Sequence, residues 1–179
     1  MELKKIDSVF TTTRENLEDI IKDYEFELKF EFVLNGNFDY SLLEKLCYSG
    51  IYKFEIATCQ SPDDLDSWIN EFRELWETKE FKKRFVPNIT KKRLKAHNVL
   101  PEWLPIYIGK HKLIKRRIKE HLDLDLTRPT FALKLHERKN LYGRRFRVST
   151  IKVDVKNYDL IVSEFENYFR GKINPILGR

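Results

Sequence analysis

The stretch "LPIYIGKHKLIKRRIKEHL", Leu104 to Leu122, changes its period in the middle, and that change decides the fold. Its first half, centred on Ile106-Tyr107-Ile108-Gly109-Lys110, reads as a short strand bracketed on its approach by Pro101 and Pro105. Beyond Lys110 the apolar residues fall at Leu113, Ile114 and Ile118, which predicts a helix over 111–121 with those three facing inward. The rest of that helix is loaded with lysine and arginine. A helix built only for stability would not stack its cations in one turn, because like charges three and four residues apart repel.

Working outward, Ser49 to Ala57, "SGIYKFEIA", is a second strand, and "RRFRVSTIKVDV" from Arg144 a third. Asn157 to Gly171 reads as a closing helix ended by Gly171. Toward the N-terminus, residues 11–24 read as a helix with Leu17, Ile20 and Ile21 on one face and a threonine able to cap it. Residues 25–34 alternate, placing Phe26, Leu28, Phe30 and Phe32 on one side of a strand. Asn35-Gly36-Asn37 marks a turn and Phe38 to Leu46 a short helix. The clearest helix is Ser61 to Phe81: Ser61 can cap it, Pro62 suits its first position, and Leu65, Trp68, Ile69, Phe72, Leu75 and Trp76 form an apolar stripe. Thr127 to Asn140 reads equally as strand or helix.

The chain has 179 residues, 41% apolar and 35% charged, a balance that excludes disorder and suits one domain with additions. No apolar run approaches the ~20 residues needed to span a bilayer and no signal peptide is evident, so the cytoplasm is the expected compartment and no membrane partner is expected. Cys47 and Cys59 are too few and too unpatterned for a zinc site or a disulfide framework. The net charge of +6 hides an asymmetry. Residues 1–78 carry 8 Lys/Arg against 18 Asp/Glu, and residues 79–119 carry 14 against 2. A middle segment this basic suggests a polyanion, most simply nucleic acid. Lys82, Lys83, Arg84, Lys91, Lys92, Arg93, Lys112 and Arg116 are the candidate phosphate contacts.

Gly50-Ile51-Tyr52 opens one strand and Tyr107-Ile108-Gly109 closes the next. With these tripeptides the chain resembles the GIY-YIG nuclease superfamily. Spacing carries the resemblance further. The family places an arginine ten residues beyond the second tyrosine, and here that is Arg117. A lysine after the second glycine matches Lys110, and a histidine one helical turn beyond the arginine matches His121. A glutamate nine residues before a proline matches Glu166 before Pro175. The resemblance covers roughly residues 48–60 and 104–179. It implies an α+β fold with a small three-stranded antiparallel sheet flanked by helices. Residues 1–47 become an N-terminal extension packed on the core. Residues 48–179 become the nuclease domain, with a basic helical insertion at 61–103. Two departures stand out. The tripeptides are usually about ten residues apart, whereas Tyr52 and Tyr107 are 55 apart, and Gly178 stands where the family often has asparagine.

The resemblance implies metal-dependent hydrolysis of phosphodiester bonds, most simply in double-stranded DNA, of restriction, defence or repair type. It assigns Tyr52, Tyr107, Lys110, Arg117, His121 and Glu166 to catalysis, and Glu166 to one Mg²⁺ or Mn²⁺ ion. The chemistry of those residue types agrees. A guanidinium neutralises phosphoryl oxygens with a planar fork of donors, and a carboxylate offers oxygen to a hard cation. A phenol, poorly basic at its ordinary pKa of about 10, needs a nearby positive charge to act as a base. The rival reading is a nucleic-acid-binding module without catalysis, with Gly178 marking a decayed site.

Overall fold

Residues 50–57 are buried at nearly every position, as a central strand covered on both faces must be. In the computed structural model, which describes residues 2–59 and 64–178, this strand lies inside an antiparallel sheet. The elements run α1 (Leu3–Ile21), β1 (Glu27–Val33), a 3-10 helix (Tyr40–Leu46), β2 (Gly50–Ala57), α2 (Leu65–Trp76), β3 (Asn88–Ile89) and α3 (Lys91–Leu94). Then come β4 (Trp103–His111), α4 (Ile114–Asp123), β5 (Arg145–Lys152), α5 (Tyr158–Ile173) and β6 (Leu177–Gly178). The main sheet has the order β1-β5-β2-β4, and β3 pairs separately with β6.

The fold class is α+β as expected, but the sheet has four strands rather than three. The extra strand is β1, from the segment read as an extension: its backbone pairs with β5 from Glu27 opposite Thr150 to Val33 opposite Arg145. The alternation in residues 25–34 signals a strand without saying where it docks. That alternation also fails to hold one face. The register shifts between Leu28 and Phe30, so Phe26 packs against Phe169 of α5 while Phe30 and Phe32 pack with Phe38 on the opposite side. An inserted residue flips every side chain beyond it.

Each face of the sheet carries its own core. Tyr52, Phe54, Ile56, Leu104, Phe146 and Val148 meet Ile114, Ile118 and Leu122 of α4 and Trp68, Phe72 and Trp76 of α2. On the other face Ile51, Ile108 and Ile151 meet Val162, Phe165 and Phe169 of α5, with Ile21 of α1 closing the edge. Each fully buried side chain of this size contributes about 1.5–3 kcal/mol, so two separate layers are held firmly on one sheet.

Several element ends differ from the sequence expectation. α1 begins at Leu3, because Thr11 and Thr13 do not cap it: their hydroxyls donate to the carbonyls of Asp7 (3.0 Å) and Val9 (2.7 Å) one turn back. In α2 the cap is Asp64, which accepts from the Ser67 N–H at 2.8 Å, while Ser61 and Pro62 lie outside the described residues. α2 also stops at Trp76, short of Phe81. Leu113 is not inward; it precedes α4 and is 39% exposed. α5 runs past Gly171 to Ile173 and ends on Asn174 in the left-handed conformation, φ 54°. Thr127 to Asn140 is neither strand nor long helix. It is a loop with two 3-10 turns, Leu135–Glu137 and Lys139–Leu141.

Arg138 holds that loop to the end of α2 and the segment after it. Its guanidinium is fully buried, 3.5 Å over the Trp76 ring, and donates to the carbonyls of Leu133 (3.1 Å), Trp76 (3.2 Å) and Phe81 (3.4 Å). Burial pulls its pKa down to about 9, so it remains charged at neutral pH. Arg138→Ala strands three carbonyls and opens a void beside Trp76. Urea unfolding is expected to read a loss of about 3 kcal/mol; a midpoint matching the unsubstituted chain would show that solvent replaces these bonds without cost.

Candidate active site

Two glycines set the geometry. Gly109 lies opposite Tyr52 in the β2–β4 pairing, and a Cβ there would overlap the Tyr52 hydroxyl. The missing side chain lets the phenol ring lie across the edge strand. A Cβ on Gly50 would overlap the Ile151 carbonyl, so that glycine is required by the approach of β5.

Around this opening is a cavity of about 280 Å³ lined by Tyr52, Tyr107, Gly109 and Lys110 from the sheet. Arg117 of α4, Phe131 of the following loop, and Glu166 and Arg170 of α5 complete the wall. The helices pack on opposite faces of the sheet, so the cavity lies at the β4 edge where both layers reach it. Five of the six residues assigned to catalysis from sequence therefore share one cavity. The sixth, His121, has no exposure and lies behind Tyr52.

The hydrogen bonds define the protonation pattern. The Leu133 N–H donates to His121 Nδ1 at 3.0 Å, so the neutral ring carries its proton on Nε2 and donates it to the Tyr52 hydroxyl at 2.8 Å. Arg117 Nε also donates to that hydroxyl, at 3.3 Å. With two donors aimed at its oxygen, the Tyr52 proton is directed toward the cavity. Burial pushes the Tyr52 pKa well above 10, reinforced by Tyr107 and Glu166 and opposed by Arg117, so the phenol is neutral in the free protein. Burial likewise raises that of Tyr107. The His121 pKa is held well below 6.5 by burial, with Arg117 and His111 adding to it.

This depressed histidine has a sign-defined consequence. Between its folded pKa and about 6.5 the unfolded chain binds a proton that the folded chain does not, so stability rises with pH through that window. Thermal melts are expected to show the protein losing stability as pH falls below about 6.5, and His121→Asn to lose less over the same range. An equal acid loss in both would assign the sensitivity to other groups.

Arg117 is anchored rather than free. It donates to Glu120 Oε2 at 2.6 Å and to the Phe131 carbonyl, in addition to Tyr52. Burial works to lower its pKa, but Tyr52 and Glu120 outweigh it and the pKa is raised. Three of its five N–H groups are thereby used, leaving two for an incoming anion. Lys110 donates to Ser163 Oγ at 2.6 Å and lies 3.4 Å from Glu166. Arg170 lies 3.5 Å from the other Glu166 oxygen. Glu166 is thus held between two cations with its side chain 16% exposed.

Among the described residues Glu166 is the one acidic residue lining the cavity, and no cluster of three or more His, Cys, Asp or Glu is placed to hold a metal ion. That donor set does not fit a preformed protein cage. It fits Mg²⁺, which is commonly held by one or two carboxylates with waters and substrate phosphate completing its shell.

The basic candidates disperse. Lys92 and Arg93 line a second groove that shares Arg170 with the cavity, whereas Lys91 lines a different groove between α2 and α3. Lys82, Lys83 and Arg84 are exposed on the segment leading to Phe85, whose carbonyl accepts from the Ala132 N–H next to Phe131. Lys112 is paired with Asp159 at 2.7 Å and Arg116 with Glu120 at 3.1 Å, both outside the cavity wall. Sequence reasoning missed Arg170, Glu120, Ser163 and Phe131. The first three sit three or four residues from Glu166 or Arg117 on the same helices, a signal that was available. Phe131 gave none, because its segment has no periodicity.

Compared with family models, curated proteins and solved structures, the chain matches none of them. Among the described residues no helix is long and apolar enough to cross a membrane.

Proposed function

We propose that the chain is a divalent-metal-dependent endonuclease of the GIY-YIG type, cleaving phosphodiester bonds, most simply in double-stranded DNA, in restriction, defence or repair. The observation that carries this reading is the convergence of Tyr52, Tyr107, Lys110, Arg117 and Glu166 on one cavity of about 280 Å³, from four separate elements.

The residues divide the work as follows. The two spare N–H groups of Arg117 bind the oxygens of the phosphoryl group and stabilise the charge that grows on them. Glu166 would hold Mg²⁺, which would supply further positive charge at the phosphate. Tyr52, neutral in the free protein, first releases its cavity-facing proton to solvent, and the phenolate so formed takes the proton of the attacking water. His121 and Arg117 steady its oxygen as negative charge develops there, so His121 is a positioning residue. Lys110 keeps Glu166 oriented and lends its charge to the same field. Water, its proton passed to Tyr52, adds to phosphorus, the bond to the leaving oxygen breaks, and that oxygen takes up a proton from solvent.

The experiment is incubation of the full chain with supercoiled plasmid, single-stranded DNA and RNA, in Mg²⁺ or in EDTA. Cleavage of duplex DNA in Mg²⁺ alone is expected. Binding to nucleic acid with no cleavage in any metal would favour the non-catalytic reading instead.

A further inference from the structure

Beside the catalytic cavity lies an open groove of about 520 Å³ lined by Thr90, Lys92, Arg93, Asn167, Arg170 and Asn174, with no acidic residue among its described walls. Lys92 and Arg93 come from the insertion, whereas Asn167 and Arg170 come from α5. Arg170 belongs to both the groove and the cavity.

Two guanidinium groups converge there. A Cβ built on Gly178 would lie 2.6 Å from Arg93 Nη1 and 3.3 Å from Arg170 Nη2. The Arg93 guanidinium therefore occupies the space beside Gly178, and a side chain at that position would have to displace it. The two cations have little to compensate them. Arg93 donates only long bonds to the carbonyls of Pro175 (3.4 Å) and Leu177 (3.3 Å). The Arg170 Nε is buried with no hydrogen-bond partner, and its one carboxylate, Glu166, is shared with Lys110. Burial and the neighbouring Arg170 lower the Arg93 pKa, and Glu166 and Tyr107 offset this only in part. Two guanidiniums held together with a single carboxylate, Glu166, shared also with Lys110, leave room for an oxyanion with several acceptors.

We infer that Arg93 and Arg170 bind a second backbone phosphate of the nucleic acid whose scissile phosphate occupies the catalytic cavity. This rests on the endonuclease reading and deepens it. The insertion, through Arg93, becomes part of the substrate-binding surface and replaces the side chain that Gly178 lacks.

The test uses Arg93→Met, which keeps the apolar stem and removes the charge, and Arg93→Lys, which keeps the charge and loses the fork. Circular dichroism melts establish that each variant is folded. Binding to a duplex oligonucleotide is measured in the Glu166→Gln background over a range of salt, and thermal shift with inorganic phosphate is measured in parallel. Arg93→Met is expected to weaken duplex binding about tenfold and reduce the salt slope by about one, with Arg93→Lys in between. If folded Arg93→Met binds duplex with unchanged affinity and slope, the inference is overturned while the endonuclease reading stands. If inorganic phosphate stabilises the unsubstituted chain through Arg93 but duplex binding is unaffected, the groove is a site for free phosphate and the inference is again overturned. A chain that neither binds nor cleaves nucleic acid overturns both.

Discussion

Glu166→Gln is expected to slow phosphodiester cleavage by on the order of 10³ or more, with the fold intact and binding to nucleic acid kept or tightened. Several kcal/mol of transition-state stabilisation come from a metal ion at a phosphoryl group, and each 1.36 kcal/mol is a factor of ten. The amide keeps the size of the carboxylate but offers a poor ligand to a hard cation. Binding persists because one negative charge near the phosphate has gone while Lys110, Arg117 and Arg170 remain. Glu164 is the internal control. Two residues earlier on the helix it is about 200° round, and its carboxylate bonds Arg14 of α1 at 3.0 Å, away from the cavity. Glu164→Gln therefore loses only a partly exposed ion pair, about 1 kcal/mol of stability at most, and keeps its cleavage rate. Cleavage rate against Mg²⁺ concentration for the two variants decides the matter. A dead Glu164→Gln beside an active Glu166→Gln would remove the metal from this cavity.

Tyr52→Phe is expected to slow the chemical step by on the order of 10² or more in single-turnover cleavage, with affinity nearly unchanged. The ring stays beside Tyr107 and across Gly109, so the cavity keeps its shape. The loss of the hydroxyl also strands the buried His121 Nε2–H, costing about 1–3 kcal/mol of stability, so the comparison belongs well below the melting temperature. A wild-type single-turnover rate in this variant would take Tyr52 out of the proton path and leave water to be activated elsewhere.

The parts of the fold that were legible in the sequence are those where one period governs a whole element. β2, β4, β5, α2 and α5 each show their pattern over at least eight residues, so only their ends moved. Where a second interaction competes with the period, reading failed. Thr11 and Thr13 look like caps because hydroxyls favour helix starts, yet a hydroxyl can equally bond a carbonyl one turn back within a helix that continues. The shift near Lys29 in β1 is invisible in a pattern of alternating phenylalanines, because one extra residue leaves no compositional trace. Residues 127–140 have no period at all. They are held in part by Arg138 donating to the carbonyls of Trp76 and Phe81, residues whose proximity only the fold creates.

The candidate site was legible through the family resemblance, whose motifs put an arginine ten residues beyond Tyr107 and a glutamate nine before Pro175. What the sequence could not show is how they are tied together. The tautomer of His121, the anchoring of Arg117 and the position of Arg93 at Gly178 depend on loops and an insertion with no recognisable register. Gly178, which the rival reading takes as a sign of decay, lies beside the Arg93 guanidinium in the structure.

The most direct measurement is a time course of supercoiled plasmid with the full chain and with Glu166→Gln, purified identically, in Mg²⁺ and in EDTA. The account predicts nicked or linear products from the full chain in Mg²⁺ only, and intact plasmid from Glu166→Gln under both conditions. Intact plasmid from the full chain, or equal cleavage by the two proteins, would contradict it.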